Sequence, residues 1–105
     1  MDSSSAGTAI STVQIDDGAI RVTRWDFAKK GDNTGWHRHG HDYVVVPLFD
    51  GALDIKGPDG AITEAPMQMG ASYARKAGVE HDVINANDGP VSFVEIELLA
   101  TSEEG

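Results

Sequence analysis

The sequence predicts a single all-β domain, built as a sandwich or a closed barrel. Seven or eight short stretches rich in β-branched and aromatic residues are separated at regular intervals by Gly, Asp-Gly and Pro turns. No window sustains the apolar period of about 3.6 residues that a helix would show. A chain of 105 residues suits one domain with a modest core.

The predicted strands follow one another from residue 10 onward. A strand with the sequence YVVVPLF contains Pro47, which has no amide hydrogen, so this strand should be an edge or bulged there. The next two predicted strands, which flank the turn GPDG, form a hairpin of the Asp-Gly kind. In order, the strands are predicted at residues 10–15, 19–27, 43–49, 52–56, 61–65, 71–75, 80–86 and 91–99.

Side-chain alternation along a strand predicts several placements. Residues 43–49 are apolar at successive positions, so both faces of that strand should be covered. Glu95 and Glu97 alternate with apolar neighbours, which predicts that they face solvent. Trp36 should point away from His37 and pack between the sheets. Asn85 is expected to bond the backbone at a turn.

Charge and composition limit the partners and the compartment. The chain has 8 basic and 17 acidic residues, for a net charge of −9, which disfavours nucleic acid and anionic membranes. There is no cysteine, no apolar run near the ~18 residues of a membrane span and no signal-peptide pattern in MDSSSAGTA. We therefore expect a cytoplasmic protein, with a flexible segment at 1–9, a barrel at 10–100 and a flexible tail at 101–105.

A histidine cluster is the strongest chemical signal. His37 and His39 are separated by one residue, so both should lie on the same face of a strand. His81 falls in a distant predicted strand, which in a closed barrel can face the first pair across the lumen. Three imidazoles suit zinc, copper, iron or nickel, although an H-x-H pair also occurs without metal.

These residues resemble the two motifs of the cupins, G-x5-H-x-H-x(3,4)-E-x6-G and G-x5-P-x-G-x2-H-x3-N. Gly31, His37, His39 and Gly51 match the first motif, and the second is matched at Gly70, Gly78, His81 and Asn85. Lys76 replaces the usual proline. The resemblance spans residues 31–85 and implies a single-domain double-stranded β-helix, or jelly-roll barrel. The segments GWHRHGHDYVVVPL and RKAGVEHDVIN are also similar to those of small bacterial cupins linked to β-alanine degradation.

The motif glutamate is the main departure from the pattern. Its position falls at Val44, or at Tyr43 with the shorter spacing, and neither is a carboxylate. A divalent ion held by His37, His39 and His81 alone would keep its full positive charge and favour an anionic ligand. The resemblance implies iron, nickel, zinc or manganese as the metal. Thiol dioxygenases and diketone-cleaving cupins hold iron through three histidines in this way.

Two further residues are candidates for catalysis, and the function stays open between two classes. His41 could be a fourth ligand, an acid or base near a pKa of ~6.5, or a solvated turn residue. Tyr43 could be a phenol ligand, a donor to substrate or a rim aromatic. The first hypothesis is a metal-dependent oxygenase or lyase acting on a small organic acid. The alternative is a non-catalytic module that binds or senses a small molecule. A homodimer is expected from the resemblance.

Overall fold

The computed structural model describes residues 7–102, and in this range the chain forms nine strands and no helix. Within that same range, then, no helix is long and apolar enough to cross a membrane. The all-β prediction is confirmed. The strands are β1 Ile10–Asp16, β2 Ile20–Phe27, β3 His37–Arg38, β4 Asp42–Pro47, β5 Gly51–Lys56, β6 Ile62–Met67, β7 Tyr73–Arg75, β8 Glu80–Asn85 and β9 Val91–Leu98.

The strands make two antiparallel sheets, in the orders β1-β2-β9-β4-β7 and β3-β8-β5-β6. The centre of the larger sheet joins β9 to β2 on one side and to β4 on the other. The predicted hairpin is present, with β5 and β6 in register from Gly51 opposite Met67 to Lys56 opposite Ile62. Asp59 accepts the amide of Ala61 in its turn, which holds the chain reversal.

The core lies between the inner faces of the two sheets. Phe27 and Phe93 come from the larger sheet, with ring centroids 5.7 Å apart. Leu53, 1% exposed, and Val83 come from the smaller sheet. Because each strand contributes every second residue, burial of these side chains also fixes which polar residues point inward.

β4 has one buried and one half-buried face. Tyr43, Val45 and Pro47 point inward and are buried, whereas Val44 and Val46 on the outer face are half-buried. The pairing of β4 with β7 ends at Val45, so at Pro47 the strand is an edge on that side, as its missing amide hydrogen requires.

The chain ends are described only in part. Residues 1–6 and 103–105 lie outside the described residues, so most of both predicted flexible segments lies there. Thr8 pairs with Asn33 in a single β-bridge, and Ala9 is buried against the core. At the other end, the Thr101 hydroxyl accepts the amide of Asp42. The division at residues 9 and 100 stays a prediction.

Candidate metal centre

The structure brings the three predicted ligands together, by a route that differs from the sequence expectation. His81 does not face His37 from the opposite wall of the barrel. The two residues lie on neighbouring strands of one sheet, β8 and β3, where they are directly paired. Side chains at paired positions share a face, and their ring centroids are 4.7 Å apart.

His39 lies just beyond the short β3 but keeps backbone contact with the chain before β8. Its amide donates to Val79 at 2.9 Å, and its carbonyl accepts the Gly78 amide at 2.8 Å. Gly78 has a φ of 101°, in the region that favours glycine, so a residue with a side chain would strain this approach. The backbone therefore continues the face begun by His37 and points His39 inward.

The three imidazoles converge on one point through their Nε2 atoms. The Nε2 of His39 lies 3.1 Å from that of His37 and 3.2 Å from that of His81. Two ligands about 2.1 Å from one ion would be about 3.0 Å apart at a right angle and about 3.4 Å apart at a tetrahedral angle. Both observed spacings fall between these two values.

The opposite nitrogens of two rings show which tautomer is present. His37 Nδ1 lies 2.9 Å from the carbonyl oxygen of Gly35, which can only accept a hydrogen bond. His39 Nδ1 lies 3.1 Å from Oε2 of Glu95. Both Nδ1 atoms are therefore hydrogen-bond donors, and in the neutral form of each ring this leaves the Nε2 lone pair free to bind a metal.

His81 completes a set of neutral ligands. Burial lowers the pKa of the His81 imidazole to about 4. The imidazole is therefore neutral at neutral pH, the form that binds a metal. The donor set fits a divalent metal: three nitrogens within 4.8 Å of one another can hold one ion.

Glu95 is the residue that the sequence analysis placed on the wrong side of its strand. Its side chain is buried, with 8% of the residue exposed, and it faces the histidines. Oε2 contacts His39, and Oε1 accepts Trp25 Nε1 at 3.0 Å. The expectation that Glu95 faces solvent is therefore wrong, and its carboxylate lies one imidazole away from the clustered Nε2 atoms.

Tyr43 occupies the place of the motif glutamate at the shorter spacing, and its ring packs on His39. The two ring centroids are 3.8 Å apart and the planes are nearly parallel at 16°. Burial raises the pKa of the Tyr43 phenol above its usual value, and the charge of Glu95 adds to this. The phenol therefore stays protonated at neutral pH and is a hydrogen-bond donor rather than an anionic ligand.

His41 and Trp36 lie apart from the cluster. His41 Nδ1 is 2.7 Å from the carbonyl oxygen of Thr101, and the ring is not among those lining the central cavity. Trp36 is 51% exposed, so the expectation that it packs between the sheets is wrong. It precedes the two-residue β3, where little of the smaller sheet is available to cover an outward ring.

The histidines line one end of a cavity between the sheets. The space measures about 470 Å³ including its open mouth. Its walls are mainly apolar, with Val45, Leu53 and Phe93 among them. Arg75 and Tyr73 stand in the lining, the guanidinium 5.7 Å from the Tyr73 ring centroid.

Asn85 has the structural role expected for it. It is 1% exposed, its Nδ2 donates to the Gly89 carbonyl at 3.0 Å, and its Oδ1 accepts the Asn87 amide at 2.9 Å. The side chain thereby closes the turn between β8 and β9.

Known proteins resemble this chain over most of its length. The β-alanine degradation protein BauB of Pseudomonas aeruginosa is 56% identical over 90 residues, which cover 86% of this chain and 93% of that protein. A cupin domain from Bordetella pertussis is 47% identical, with a TM-score of 0.84 over 89% of this chain and 95% of that one. No family model matches the chain.

A more distant structure shows the fold alone. A Klebsiella pneumoniae protein with a double-stranded β-helix domain is 22% identical and superposes with a TM-score of 0.71, over 94% of this chain and 82% of its own. Fold, paired motifs and close relatives agree with one another: the chain belongs to the cupins, in the family of the β-alanine degradation protein BauB.

Proposed function

We propose that this chain binds one divalent metal ion through His37, His39 and His81 and acts on a small anionic molecule. The observation that carries the proposal is the convergence of Nε2 atoms at 3.1 and 3.2 Å, with two of the rings held as ligand-ready tautomers by Gly35 and Glu95. Iron, nickel, zinc and manganese are the candidates. A metal held there supplies Lewis acidity and, if it is iron, redox chemistry.

The remaining residues support recognition of a small carboxylate. Arg75 is the one arginine or lysine among the described residues that line the cavity, and its guanidinium can pair with a carboxylate in two hydrogen bonds. Burial also raises the pKa of Tyr73, so its phenol and that of Tyr43 stay protonated and can donate to a bound anion. The apolar walls exclude water around the organic part of the ligand.

The likeness to BauB gives this chemistry a setting. We propose that the chain takes part in β-alanine degradation as an enzyme of the oxygenase or lyase class, acting on a small organic acid. The alternative, a module that binds such an acid without turning it over, uses the same residues and differs only in the result of a turnover assay.

Metal content tests the first part of the proposal. Protein purified without a histidine tag should contain close to one metal ion per chain by elemental analysis, and His37→Ala should lose it. His41→Ala is the matched control, because its ring contacts Thr101 away from the cluster. A metal content near zero in the wild-type chain after reconstitution would refute the proposal.

Turnover tests the second part. Metal-loaded protein should act on at least one member of a panel of β-alanine, other small carboxylates and diketones, followed by oxygen consumption and by mass spectrometry of the products. Arg75→Gln should raise KM about tenfold or more with a smaller change in kcat, because its contact with the carboxylate persists through the reaction. No turnover by a metal-loaded chain would favour the binding module. The same assay on His41→Ala tests the predicted catalytic role of His41.

A further inference from the structure

The buried carboxylate behind His39 has a function beyond filling the core. We propose that Glu95 is a positioning residue for the metal centre, which sets the tautomer of His39 and supplies from behind that ring the negative charge that the cupin motif glutamate would supply directly. The tautomer part stands on the metal-free geometry, and the charge part rests on the proposed function above.

Glu95 is held in a rigid place. It lies near the middle of β9, paired with Thr23 of β2 on one side and with Val45 of β4 on the other. A residue in a central strand has little freedom to shift, so the carboxylate position is fixed by two ladders of backbone hydrogen bonds. Its side chain is 10% exposed, and that of His39 is 6% exposed.

Both carboxylate oxygens are engaged by nitrogen donors. Oε1 accepts Trp25 Nε1 at 3.0 Å, and Oε2 lies 3.1 Å from His39 Nδ1. The Trp25 ring is in turn nearly parallel to that of His37, at 17° and a centroid distance of 6.4 Å. One carboxylate thus contacts a ligand ring directly and orients the indole beside a second one.

This arrangement compensates for the missing motif glutamate. Tyr43 takes that position with its ring packed on His39 and offers no carboxylate there, so three imidazoles by themselves would leave a bound dication with its whole charge. Glu95 brings the charge of the ion and its surroundings from +2 to +1, as a directly bound glutamate would, while leaving that coordination position open. Outer contacts of this kind change metal affinity by about 10- to 100-fold.

Zn²⁺ and Co²⁺ affinities test the charge and positioning together. In competition titrations with a chromophoric chelator, Glu95→Gln should weaken the binding of both ions by about 10- to 100-fold. The Co²⁺ absorption bands should shift in the same variant. Glu97→Gln is the matched control, since Glu97 is two residues along the same strand and pairs with Arg21 instead. An affinity of Glu95→Gln within threefold of wild type would overturn the proposed electrostatic role and leave the metal site standing.

The tautomer of His39 gives a readout without metal. Long-range proton–nitrogen NMR of the metal-free wild-type chain should show the proton on Nδ1 of His39, and Glu95→Gln should move it wholly or partly to Nε2. A wild-type His39 protonated on Nε2 would overturn the positioning role, even if the variant failed to fold. A wild-type chain with the proton on Nδ1 that binds no Zn²⁺ would overturn the proposed function and the charge role, and would uphold the positioning of His39.

Discussion

Asn85→Ala should destabilise the fold by about 2–4 kcal/mol, although the residue touches no proposed ligand. The side chain is 1% exposed and makes three hydrogen bonds: Nδ2 donates to Gly89 O, and Oδ1 accepts from Asn87 N and Asn87 Nδ2. Truncation leaves the Asn87 amide and the Gly89 carbonyl without this partner, at about 1–3 kcal/mol for each buried group. Asn87 and Gly89 are half-buried and partly hydrated, so the two losses together stay in the lower part of their combined range, at about 2–4 kcal/mol.

Urea unfolding followed by circular dichroism measures this loss, which corresponds to about 10–20 °C in Tm for a domain of this size. Asn85→Asp separates hydrogen bonding from volume, because it keeps the acceptor and turns the donor that faces Gly89 into an oxygen. Asp88→Ala, at a fully exposed side chain nearby, is the control and should change stability by less than about 0.5 kcal/mol. A loss below about 1 kcal/mol in Asn85→Ala would refute the account of this turn.

Three further outcomes are expected. Leu53→Ala should cost about 2–5 kcal/mol in urea unfolding, because the side chain is 1% exposed between the sheets; a cost below about 1 kcal/mol would contradict that packing. A hydrogen bond from Ser92 lowers the pKa of Asp26, so this carboxylate stabilises the fold above the unfolded pKa of ~3.9 and loses that effect as pH falls through the lower folded value. Asp26→Asn should therefore flatten the fall in Tm between about pH 5 and pH 2, and an unchanged slope would count against it. Gly51→Ala should lower Tm, since its φ is 156° and a Cβ would contact Asn87 Oδ1; an unchanged Tm would show that Asn87 moves aside at no cost.

The three histidines of the cluster could be anticipated because their signal is local or belongs to a motif. One-residue spacing places His37 and His39 on one face wherever the chain is extended, as the backbone contacts of His39 with Val79 and Gly78 keep it here. His81 came from its position in a second motif, and the structure confirms that it joins the pair. The sheet in which His81 lies could not be anticipated, because strand order depends on which strands pair. Pairing between strands that are far apart in the sequence leaves no local pattern.

Glu95 shows where alternation fails as a guide. Glu95 and Glu97 alternate with apolar residues, as they would on a strand with one face in solvent. Both faces of β9 contain apolar residues, however, so the alternation does not show which face points into the barrel. Glu95 points inward because Val91 and Phe93 of the same strand are in the core and period-two geometry carries it along. The hydrogen bond between Trp25 and Glu95, which lie 70 positions apart, could be predicted only once β2 and β9 were known to be neighbours.

Local chemistry along the chain indicates most of the strands, their turns and the residues capable of holding a metal, since these depend on side-chain type and on spacing of a few positions. The two-residue β3 is absent from the predicted strands, because it forms only by pairing with β8. The tautomers of His37 and His39, the protonated state of Tyr43 and the inward carboxylate of Glu95 arise from contacts across the barrel. Those contacts depend on which faces meet when two sheets close on each other. That choice minimises exposed apolar area over the whole domain, and no short stretch of sequence records it.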